Sequence, residues 1–128
     1  MTGISGIDER FHPQPAPRKV VSSVSVTIPA GGSISNSADL TGGAVNFVIA
    51  PSDWDDSLVS FQVSTDDISF YDLFDRNGFE LQRVLIPGVV VSIDPSLTAA
   101  AVYLKIRSGS RVEPNTRGVD STFVLVLA

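Results

Sequence analysis

A chain of 128 residues is enough for one domain of ordinary size and too short for two. It contains no cysteine, which excludes disulfides, thiolate metal sites and cysteine nucleophiles together. A formal charge of −5 opposes nucleic-acid binding, which needs a cationic surface to release counterions, and no apolar run approaches the roughly 20 residues of a membrane-spanning helix.

Residues 1–18 differ in character from the rest. Pro13, Pro15 and Pro17 alternate there, and proline fixes its own φ while pushing the preceding residue towards extended backbone. The expectation is an extended, polyproline-like arm without a hydrogen-bonded ladder of its own. Asp8, Glu9, Arg10 and Arg18 cancel in charge, so the body from residue 19 carries the whole acidic excess. Ile4, Ile7 and Phe11 are the large apolar side chains of the arm. Together with the three prolines they mark it as an assembly arm that anchors on a neighbouring subunit. The opening Met1-Thr2-Gly3-Ile4-Ser5-Gly6 has neither a charged n-region nor an apolar h-region, so no secretory signal is expected.

From Lys19 the pattern becomes short runs of period two. Val24, Val26 and Ile28 alternate with Ser25 and Thr27, the mark of a half-buried strand, and Pro29-Ala30-Gly31-Gly32 ends it. Ile34, Ala38 and Leu40 alternate more weakly. Val45 to Ile49 reads as a strand buried on both faces. Leu58 to Val63 and Ser69 to Phe74 follow, and Asp75-Arg76-Asn77-Gly78 is a tight-turn signal. Phe79 to Leu85, Val89 to Ile93, Val102 to Ile106 and Val119 to Leu127 complete the strands. Pro51-Ser52-Asp53-Trp54 and Asp94-Pro95-Ser96-Leu97 each suit a single helical turn. No amphipathic run of helical length lies between strands, so βαβ units are excluded. The fold expected is all-β: one antiparallel β-sandwich over residues 19–128, jelly-roll-like, with Phe47, Phe61, Val63, Phe74, Leu104, Ile106 and Phe123 leading the core.

Residues suited to catalysis are sparse. His12, the single histidine, lies in the arm, which offers neither a partner to orient an imidazole nor a pocket to tune it. Asp53, Asp55, Asp56, Asp66, Asp67, Asp72 and Asp75 concentrate in one stretch without a basic residue. Paired carboxylates suit glycoside hydrolysis or calcium, yet these stand beside turns, where aspartate bonds to the local backbone. Arg107, Arg111 and Arg117 surround a loop that also holds Glu113, and read as a solvated basic rim. Trp54 and Tyr71 are the candidates for stacking on a ligand such as a host glycan, against the alternative that Trp54 plugs one end of the sandwich. These residues imply binding or assembly without an enzyme activity, a cofactor or a metal.

The stretch Ile28-Pro29-Ala30-Gly31, Ala38-Asp39-Leu40, Ile49-Ala50-Pro51 and Trp54 resembles small β-sandwich proteins of tailed bacteriophages and prophages. So do Leu58 through Ser64 with Asp66, Ser69-Phe70, Leu73, Asp75 and Gly78, and the run Tyr103 through Gly109. The resemblance spans residues 24–127, with Asp66-Asp67 standing where the family often has Asp-Gly. It implies a discoidin-like or carbohydrate-binding jelly roll located in the virion, on a capsid or a head or tail appendage. The partners implied are other virion proteins, copies of the chain itself and, as the alternative role, a host glycan.

Overall fold

A computed structural model describes residues 20–128. Nine strands follow one another: β1 (Ser22–Ile28), β2 (Ala38–Asp39), β3 (Val45–Ile49), β4 (Leu58–Ser64), β5 (Tyr71–Asp72), β6 (Gln82–Val84), β7 (Val90–Ser92), β8 (Tyr103–Ser108) and β9 (Ser121–Leu127). A single 3-10 turn, Pro95–Leu97, precedes β8, and the Asp94 side chain caps it by accepting from the Ser96 amide. At Pro51–Trp54 the chain makes only a turn, with the Trp54 amide bonded to the Pro51 carbonyl.

All pairings are antiparallel. One sheet runs β1-β9-β3-β7; the other runs β2-β8-β4-β5, with β6 also on β4. β5 and β6 share one edge of β4, at Gln62–Val63 and Leu58–Ser60 respectively. They act as a single edge strand interrupted by a hairpin, in which Phe74 bridges Glu80 around the turn Asp75–Gly78. Counting that edge once, the two sheets have the strand order 1-8-3-6 over 2-7-4-5, which is a jelly roll. The turn itself follows local chemistry. The Asp75 carboxylate accepts from the amides of Asn77 and Phe79, and Gly78 takes φ +82°, which a side chain would resist.

The core lies between the sheets and is built by alternation. Val26 and Ile28 of β1, Val59 and Phe61 of β4, Leu104 and Ile106 of β8, and Phe123, Leu125 and Leu127 of β9 face inward and are buried. Val63 packs on this cluster from a half-buried position. Two expectations need correction. Phe47 and Phe74 lie outside the core, each 42% exposed. In β3 the register shifts between Val45 and Phe47, so the chain spends an extra residue at Asn46 and Phe47 turns to the outer face. β3 is therefore buried on one face only. Phe74 sits on the hairpin that leaves the edge of β4, beyond the reach of the inner face.

Candidate functional site

The register of the β1-β9-β3-β7 sheet sets its outward side chains in rows. Ser23, Val126, Phe47 and Ser92 form one row, Ser25, Val124, Ile49 and Val90 the next, and Thr27 with Thr122 a third. The two threonine hydroxyls are hydrogen-bonded at 2.9 Å. No charged residue stands in any of these rows, although the chain carries 14 acidic and 9 basic ones. Towards β7 the face becomes apolar: Val90 is 54% exposed, and Ile49, Val124 and Val126 are half-buried around Phe47. The solvent side of a sandwich sheet ordinarily carries polar residues. Here five of the ten outward positions are serine or threonine and five are apolar, and the apolar ones adjoin one another.

The outer face of the other sheet is built on charge. Arg107 projects from β8, and each of its guanidinium nitrogens has a partner: Nε donates to Ser60 Oγ, Nη1 to Asp72 and Nη2 to Glu80, all at 2.9 Å. Arg111 adds a bond from its Nε to Asp72 at 3.0 Å and one from its amide to Glu80 at 2.9 Å. Ser60 passes its own proton on to the Gly109 carbonyl. The loop after β8 reaches this position because Gly109 takes φ +86°, with a space where a Cβ would fall 2.3 Å from the Glu113 carbonyl oxygen. Burial works against the charge on Asp72, yet bonds from Arg111, Arg107 and Gln62 outweigh it and hold the carboxyl below its ordinary range. Two arginines and two carboxylates close on one another. The cluster fastens the β5–β6 hairpin and the loop after β8 to the sheet.

Of the two stacking candidates, Trp54 is 4% exposed. Its ring meets Phe123 edge-on at 5.0 Å, and its Nε1 donates to the Ser57 carbonyl. The Arg117 guanidinium lies 4.3 Å over the ring, held there by Ser121 and by an ion pair with Asp55 at 3.3 Å. Tyr71 lies at the opposite end of β4, 69% exposed, beside a cleft of about 220 Å³ lined by Val63, Ser64, Thr65, Leu97, Ala100 and Ala101. The structure thus does not bring the two rings together. That cleft is smaller than the roughly 300 Å³ at which small-molecule pockets begin. Ile4, Ile7, Phe11, Pro13, Pro15 and Pro17 lie outside the described residues.

The clustered aspartates are dispersed among local tasks. Asp66 accepts from the Ser69 and Ile68 amides and the Ser64 hydroxyl, bonds that lower its pKa, and Asp55 is lowered by Ser57 and Arg117. Asp67 adopts φ +62°, in the left-handed region, which aspartate tolerates better than most side chains. Among the described residues, no three His, Cys, Asp or Glu side chains gather as a metal site. The three arginines read as a solvated rim divide instead: Arg107 is buried, Arg111 shares its carboxylates, and Arg117 roofs Trp54. Sequence reasoning also missed Glu80 and Ser60, whose partners are distant in the chain. No family model, curated protein or solved structure matches the chain.

Proposed function

We propose that this chain is a structural protein of a tailed-bacteriophage virion, decorating the capsid or forming part of a head or tail appendage. It works by assembling with copies of itself and with other virion proteins. The observation that carries the reading is the uncharged outer face of the β1-β9-β3-β7 sheet, with Phe47 and Val90 open to solvent. The jelly-roll order adds weight, since viral capsid and lectin domains share it, although a fold by itself does not fix a function. The purified protein is expected to sediment as a defined multimer at micromolar concentration. Removing residues 1–18 should lower its mass while leaving its melting temperature within a few degrees of the full chain. A monomer at every concentration would end the assembly reading.

Binding of a host-surface glycan is the second reading, favoured by the exposed Tyr71 at its cleft. Calorimetric titration with host polysaccharide is expected to give no heat. Saturable binding that disappears in Tyr71→Ala would put this reading first.

A further inference from the structure

We infer that the apolar rows of the β1-β9-β3-β7 sheet receive residues 1–11 of a second copy of this chain, so that subunits are joined by their N-terminal segments. The inference rests on the assembly reading and names its contact. Two observations meet here. The face offers Phe47, Ile49, Val90, Val124 and Val126 in adjoining rows without a charge among them. The chain outside the described residues carries three large apolar side chains, Ile4, Ile7 and Phe11, and leads into β1, the edge strand of this same sheet.

Reach decides between the segment's own subunit and another. From β1 to β7 the sheet is three strand spacings wide, about 15 Å. Residues 12–21 lie between the apolar trio and β1, and Pro13, Pro15 and Pro17 in their sequence disfavour helical backbone over residues 12–17. Ten residues at about 3.1 Å each have a reach of about 31 Å, roughly twice the width of the sheet. Doubling back needs a tight reversal, and no glycine lies between Gly6 and Gly31 to supply one cheaply. A stiff linker of this length therefore favours the face of a neighbour, and its limited freedom reduces the entropy lost on docking.

The absence of cysteine allows a direct test in the full-length protein. Chains carrying Phe11→Cys are mixed with chains carrying Val90→Cys and oxidised, with Val112→Cys, on an exposed loop, as the control. The expected product is a cross-linked pair of Phe11→Cys and Val90→Cys chains. Its yield should fall at least about tenfold when the Val90→Cys chain also carries Phe47→Glu, because a buried carboxylate there has no partner. Because Phe47 is 42% exposed, that variant should stay folded with a melting temperature only a few degrees below that of the parent, and Val126→Lys provides a second disruption of the same row. Three outcomes overturn the inference. A chain bearing both cysteines closes on itself while the mixed chains do not pair. Val90→Cys chains couple only to one another, which means that two faces pack together. The control couples as well as Val90→Cys, which means contact without a site. If sedimentation still shows a multimer in any of these cases, assembly stands and only the docking site is wrong; a monomer removes both.

Discussion

Replacing Phe61 by alanine is expected to cost about 3–5 kcal/mol of folding stability. The ring is completely buried at the centre of β4, where its residue pairs with Ile106 of β8. Alanine removes the transfer free energy of the ring and leaves a cavity that the two packed sheets cannot close. Against a typical total of 5–15 kcal/mol, such a loss is a large fraction of the stability of the domain. Urea denaturation should show a lower midpoint with an unchanged slope, the signature of lost stability without a change in the surface exposed. Phe47→Ala and Phe74→Ala serve as internal comparisons. Both rings are 42% exposed, so each substitution should cost about 1 kcal/mol. If Phe61→Ala left the midpoint where it was, the inner face of β4 would have to be reassigned.

The second large effect belongs to Arg107. Replacing it by methionine keeps most of the volume but leaves Glu80, 9% exposed, and Asp72 without the cation that compensates them. Breaking a buried pair from one side costs about 3–5 kcal/mol, and the contacts retained by Arg111 place the expected loss near 3 kcal/mol. Arg107→Lys should recover little, since one ammonium cannot reproduce three bonds fixed in a planar fork. Adding Glu80→Leu to Arg107→Met should restore part of the loss by removing the stranded charge. The same cluster sets the response to acid. Asp72 has a folded pKa below its unfolded value, so the stability it confers is complete above about pH 4 and is lost as the pH falls towards the folded value. The midpoint should stay level from about pH 7 to 5 and drop below 4, with a shallower drop in Asp72→Asn.

Short apolar runs between turn signals marked the nine strands, and period two survives where a regularly paired strand has one face on the core, as in β1, β8 and β9. Alternation failed at Asn46, where an inserted residue reverses the faces within a run of uniformly apolar side chains. Val45, Phe47 and Val48 look equally suited to burial, and only the pairing with β9 separates them. The turns were legible for a different reason: Asp75, Gly78 and Asp94 act on backbone a few residues away. The charge cluster was not, because Arg107 meets Glu80 and Asp72 across 27 and 35 residues of chain. Local spacing placed Arg107, Arg111 and Arg117 in one loop, while the fold gave the first two to the outer face of one sheet and the third to Trp54. The outer rows of the other sheet were hidden by the same limit, since rows exist only after strands are paired.

The position of β9 has a consequence for the order in which the molecule is completed. This strand is the last in sequence, yet it lies between β1 and β3 in the middle of its sheet. Ser22 pairs with Leu127, so among the described residues β1 finds its neighbour in that sheet about a hundred residues later. Closing such a loop costs about 2 kcal/mol more entropy than closing a ten-residue hairpin. During synthesis β1 and the β3–β7 pair are therefore left with open edges until residues 121–127 arrive, whereas the β4–β5–β6 edge is formed from neighbours in the chain. Stop codons within β9 should thus yield a chain with half of its sandwich unzipped rather than a slightly shortened domain.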